Sequence, residues 1–140
     1  MKKQIITDLK FLKQKSEPVG FWESKKIIKN LEDTLKETKN GIGLSAIQIG
    51  ISKQVSIIRL PKFKLNLVNS KIIEKSDLIR FHESCLSLPG LTVDTRRYNY
   101  VTLNNGKLYK GLVAITIQHE INHWDGKLII DKEIKWRRRR

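Results

Sequence analysis

The chain has 140 residues, 39% hydrophobic and 30% charged, with a formal net charge of +14 and one cysteine. Residues 1–140 are therefore expected to form a single compact domain, its core burying about two-thirds of the unfolded chain's surface, with a short basic tail at about 132–140. No stretch approaches the ~20 apolar residues of a membrane span, Asp8, Lys10 and Lys13 break up any leader, and a lone cysteine excludes an internal disulfide, all of which fits the cytoplasm.

From the N-terminus, the first strong signal is a helix over Phe21–Lys39, where Ile27, Ile28, Leu31 and Leu35 share one face. Asn40-Gly41 ends it. Gly41-Ile42-Gly43-Leu44-Ser45-Ala46-Ile47-Gln48 follows. Its two glycines let a backbone come close to a ligand, and Gln48 offers an amide donor; a plain turn after a helix is the simpler alternative. Strands are expected at Gln54–Leu60, Leu65–Val68, Lys71–Ile79 and Tyr98–Leu103. Between the last two lies Glu83-Ser84-Cys85-Leu86-Ser87-Leu88-Pro89-Gly90. Asn104-Asn105-Gly106 reads as a hairpin turn into Lys107–Lys110. A last helix spans Leu112–Asp125, with Gly126 as its stop. Strands that pair locally between helices make the fold class α+β.

That last helix carries Gln118-His119-Glu120-Ile121-Asn122-His123, an H-E-x-x-H motif. Helix positions four apart share a face, roughly 6 Å from each other. His119 and His123 can thus offer two imidazole nitrogens to one divalent cation, with Glu120 beside them as a general base. A hydrolytic centre needs a third protein ligand and an open position. Downstream, the carboxylates on offer are Asp125, Asp131 and Glu133, on a short remaining stretch of chain. Upstream, Cys85 is the stronger candidate, because a thiolate suits a site that already has two histidines and lacks one donor. A lone cysteine elsewhere would read as a small buried apolar residue.

These three blocks, in this order, resemble the signature of the peptide deformylases, G-x-G-L-A-A-x-Q, E-G-C-L-S and Q-H-E-x-D-H. Leu12–Val19, Pro89-Gly90 and Arg97 resemble that family too, so the likeness runs from about residue 5 to about residue 130. The chain departs from the pattern at Ser45 for alanine, Ser84 for glycine, Asn122 for aspartate and Trp124 for leucine.

The resemblance implies removal of the N-formyl group from formylmethionine at the start of nascent peptides. It implies one divalent cation held by Cys85, His119 and His123, with Fe2+ expected and Zn2+ or Ni2+ able to substitute. Glu120 is then the proton carrier, while the Gln48 amide and the Leu86 backbone N–H hold the oxyanion. For the methionine slot it points to Ile115, Thr116 and Leu112 on the last helix, with Ile42 opposite. The Ile42-Gly43-Leu44 and Ser84 backbones would bind the peptide as an added strand, and Gly90 and Leu91 would flank its later residues. Glu83 and Arg97 would pair behind the metal, or else form an ordinary surface ion pair. A monomer without membrane contact is expected.

The charge and the run Lys135-Trp136-Arg137-Arg138-Arg139-Arg140 suit ribosomal RNA; a merely solvated basic tail is the plainer alternative. Two other functions compete, an H-E-x-x-H peptidase of another class and a non-catalytic basic RNA-binding module. Whether Cys85 or a downstream carboxylate binds the metal separates the first from a deformylase. Survival of ligands, base and oxyanion donor together argues against the second.

Overall fold

A computed structural model describes residues 1–134; the arginine-rich run Lys135–Arg140 lies outside the described residues. After a short helix α1 (Leu9–Leu12), the chain forms α2 (Phe21–Leu35). The expected stripe is its buried face: Ile27, Leu31 and Leu35 pack with Val19, Leu44, Ala46, Val55 and Ile57, while Ile28 is partly covered. The helix stops four residues before Lys39. The Thr38 hydroxyl and backbone N–H both bond the Leu35 carbonyl, at 2.7 and 3.0 Å, and Asn40 then takes a left-handed φ of 63°.

Two antiparallel three-stranded sheets follow. The first orders β1 (Gly43–Ser45), β2 (Val55–Leu60) and β3 (Phe63–Val68), and the second β4 (Ile72–Ser84), β5 (Thr92–Leu103) and β6 (Leu108–Lys110). Both β1 and β4 are edge strands. The β4–β5 hairpin is longer than the sequence pattern indicates, running in register to Ser84 opposite Thr92. Its last inward positions hold Glu83, Thr95 and Arg97, all buried and polar, so hydrophobic alternation fails there although the strands continue.

Helix α3 (Gly111–Trp124) lies between the sheets. Ala114, Ile117 and Trp124 pack with Ile58 and Leu67 of the first sheet and Val101 and Leu103 of the second. Such a helix is apolar nearly all round, and its polar residues are conspicuous. It ends as Gly126 predicts: φ is +72°, the Gly126 N–H bonds the His123 carbonyl, and the Lys127 N–H bonds the Asn122 carbonyl at 2.9 Å. A Cβ at Gly126 would stand 2.2 Å from the Lys13 carbonyl oxygen, so the stop also lets the N-terminal segment pass. Residues 132–134, counted above with the tail, belong to the body. A 3-10 turn spans Ile129–Lys132, Glu133 bridges to Thr95, and the Ile134 N–H bonds the Asp94 carbonyl. Among the described residues no helix is long and apolar enough to cross a membrane.

Candidate metal centre

The i, i+4 spacing on α3 brings the His119 and His123 rings to 5.0 Å between centroids. Cys85 stands at the exit of β4, where the chain turns, and its Sγ is 3.6 Å from His123 Nε2. One ligand atom from each of the three lies within 4.8 Å of the others. A tetrahedral cation with a metal–sulfur bond of 2.3 Å and metal–nitrogen bonds of 2.0–2.1 Å sets sulfur about 3.6 Å from nitrogen. The donor set therefore fits a divalent cation. Asp125 and Glu133 are exposed, and Asp131 caps the 3-10 turn through the Leu128 N–H, so none of the three downstream carboxylates joins the group. Burial pushes His123 well below the usual histidine range, helped by the positive charges of His119 and Arg97. That keeps its lone pair available for a metal.

Glu83 organises the back of the site. Its Oε1 takes His119 Nδ1 at 2.6 Å and Arg97 Nη2 at 2.8 Å, and its Oε2 takes Arg97 Nε at 2.9 Å and the Thr95 hydroxyl at 2.6 Å. Burial alone would raise this carboxyl, but the His119 and Arg97 hydrogen bonds win and hold it at about 2. Burial lowers His119 in turn, yet Cys85 and Glu83 overcome it and raise the imidazole to about 10. With Nδ1 committed to Glu83, Nε2 of His119 is the metal-facing nitrogen. The pair is no surface contact: Glu83 and Arg97 are 4% and 3% exposed. Asn122, where the family pattern has aspartate, accepts from Arg97 Nη1.

Glu120 is 2% exposed, and burial raises its pKa. A Cβ on Gly43 would come within 2.6 Å of Glu120 Oε2. The lack of a Cβ here is what lets the Glu120 carboxylate lie so close to β1. The Ser45 hydroxyl donates to Glu120 Oε1 at 2.8 Å. Gln48 Oε1 accepts the Ser45 N–H, which directs Nε2 toward Cys85 Sγ at 3.7 Å and the Ser87 hydroxyl at 3.0 Å. Ser84 lies in extended β4 and is not among the described residues with positive φ, so serine in place of glycine causes no strain.

A cleft of about 220 Å³ opens in front of these groups. Ile42, Gly43, Glu83, Ser84, Leu86, Leu112, Ile115 and Thr116 of the expected set line it together with Cys85, His119 and Glu120. The remaining expected residues lie elsewhere. Leu44 turns its side chain into the core beneath β1, Arg97 is buried behind Glu83, and Gly90 and Leu91 are exposed in the β4–β5 connection and do not line the cleft. Gln48 is enclosed at 1% exposure. Gly41 of the glycine block lines it too, and three lining residues escaped the sequence reading: Asn40, Phe81 and His82. Phe81 stands two before Glu83 and so on its face of β4, a signal that was available. His82 bonds Asp94 at 2.8 Å, a contact visible only once the register is known.

Comparison with known proteins agrees with this geometry. The polypeptide deformylase family model matches residues 2–139. Peptide deformylase from Aquifex aeolicus is 37% identical over 131 residues, covering 84% of this chain and 77% of the relative. The crystal structure of peptide deformylase from Thermotoga maritima superposes with a TM-score of 0.86 at 26% identity, covering 96% of this chain and 99% of that one. A probable peptide deformylase from Synechococcus phage S-SSM7 superposes at 0.80 with 33% identity, covering 93% and 99%. This chain belongs to the peptide deformylase family, metal-binding hydrolases that remove the N-formyl group from nascent peptides.

Proposed function

We propose that this chain removes the formyl group from N-formylmethionine, with Cys85, His119 and His123 holding the cation and Glu120, Gln48 and Leu86 assisting the chemistry. The convergence of one sulfur and two imidazoles within 4.8 Å beside a buried carboxylate carries this reading. A bound divalent cation supplies Lewis-acid polarisation and makes a nearby water more acidic. Glu120 takes the proton from the attacking water and returns it to the leaving amine, and burial, by raising its pKa, makes it a stronger base for that exchange. The Gln48 amide, aimed by the Ser45 N–H, and the Leu86 backbone N–H donate to the oxyanion. The family likeness supports Fe2+ as the native metal, with Zn2+ or Ni2+ as substitutes.

The peptide lies along β1. The Ile42 carbonyl is taken by the Arg59 N–H in β2, and the Ser45 N–H points away from β2 to Gln48. Strand alternation then leaves the Gly43 N–H and C=O on the open edge, next to Glu120. An extended peptide added there directs its first side chain between Ile42, Ile115, Thr116 and Leu112, an apolar slot suited to methionine. Ser84, at the end of edge strand β4, faces it from the other side. The enzyme works as a cytoplasmic monomer, and its positive field, +14 overall, draws it to ribosomal RNA. The deciding assay is formate release from formyl-Met-Ala by iron-loaded protein, with and without chelator. Chelator-sensitive release is expected; its absence from well-folded protein contradicts the reading.

A further inference from the structure

Two of the departures from the family pattern, Ser45 and Trp124, meet through a third residue, Ser56. Trp124 Nε1–H donates to Ser56 Oγ at 2.9 Å, Ser56 and Ser45 hydroxyls are 2.5 Å apart, and Ser45 Oγ donates to Glu120 Oε1 at 2.8 Å. We propose that Trp124, Ser56 and Ser45 form a hydrogen-bond relay that orients the Glu120 carboxylate, which makes them positioning residues for the reaction.

The polarity of the chain follows from its ends. An indole N–H only donates, and an ionised carboxylate only accepts. Each hydroxyl between them must therefore accept from the Trp124 side and donate toward Glu120. A run with one direction strengthens each of its bonds. The fold closes it into a ring. Trp124 lies one turn beyond Glu120 on α3, and Ser45 and Ser56 are register partners across β1 and β2. All four residues are shielded, with Ser45 and Ser56 at 0%, Glu120 at 2% and Trp124 at 3% exposure. Water cannot readily substitute for a missing member, so losing the Ser45 hydroxyl removes the bond that holds the carboxylate, and losing the Ser56 hydroxyl leaves Ser45 free to turn to the Glu120 backbone carbonyl, 3.3 Å away.

The inference rests on Glu120 being the proton carrier, and the experiment separates the two. Formate release by iron-loaded protein would be measured for Ser45→Ala, Ser56→Ala, the double variant and Glu120→Gln, with metal content determined for each. Ser45→Ala is expected to lose about tenfold in kcat, the cost of one charge-assisted hydrogen bond, and Ser56→Ala a smaller but measurable factor, with KM and metal content unchanged in both. The double variant is expected to be no worse than Ser45→Ala, because Ser56 acts on Glu120 only through Ser45. The second readout is the 15N–1H spectrum of zinc-loaded, 15N-tryptophan protein. Of the three indole signals from the three tryptophans, the one lost in Trp124→Phe is expected to move in Ser45→Ala, although Ser45 does not touch the indole. Wild-type kcat in both serine variants while Glu120→Gln is inactive would overturn the relay, as would multiplicative losses or an indole signal blind to Ser45. An active Glu120→Gln would instead remove the reading beneath it.

Discussion

Glu83 shows how one side chain links stability to the centre. Its carboxyl has an ordinary value of 4.5 and is held at about 2 in the fold. The unfolded chain therefore takes up a proton as pH drops below 4.5, while the native state resists until about 2. The stabilisation is complete above pH 4.5, amounts to about 3 kcal/mol, and is lost as pH falls through that window. Urea unfolding from pH 7 to pH 2.5 should show this slope in the wild type and a shallower one in Glu83→Gln; parallel curves would deny the linkage. The groups proposed to act on the substrate have separate signatures. Glu120→Gln is expected to lower kcat by about 10²–10⁴ with the metal retained, and Gln48→Ala by about 10², both read by formate release. At this scale the sequence was most legible where spacing alone carries the chemistry, as with His119 and His123. Cys85 was legible because it stands alone. The pairing of Arg97 with Glu83 was open and its bond to Asn122 unforeseen, since they depend on a strand register and on where α3 lands.

Elements contribute through what they allow to come close. Gly43 lets β1 approach α3, and Gly43→Ala would force its new carbon to within 2.6 Å of Glu120 Oε2. The variant is expected to fold with little loss in Tm yet to lose at least about tenfold in kcat/KM. Equal kcat/KM in the two proteins would remove the close-approach argument. Helix α2 has the opposite role, supplying core without chemistry. Leu31 is 0% exposed in its cluster, so Leu31→Ala should cost about 2–5 kcal/mol, seen in urea unfolding, with kcat unchanged at temperatures where the protein remains folded. Its period-3.6 stripe made α2 readable from the sequence. The short β1 was readable only as a glycine block, and the ends of β4 and β5 were hidden because Glu83, Thr95 and Arg97 occupy inward positions that a core would give to apolar side chains.

For the whole molecule, two sheets clasp a buried helix, and the open edges of β1 and β4 leave a cleft over the metal ligands. The α+β class and the metal helix were foreseeable from local strand pairing and the H-E-x-x-H motif; the division into two sheets was not. The excess of positive charge, 28 Lys and Arg over 14 Asp and Glu, belongs to this scale too. Cosedimentation with ribosomes is expected at low salt, falling steeply as salt rises, and deleting residues 135–140 should weaken it; binding insensitive to salt would exclude an electrostatic partner. All of this depends on one cation shared by Cys85, His119 and His123. X-ray absorption at the edge of the bound metal tests that sharing most directly. The account predicts one sulfur at about 2.3 Å and two imidazole nitrogens at about 2.0–2.1 Å, with the sulfur shell lost in Cys85→Ala. A metal shell without sulfur in the wild-type protein would contradict it.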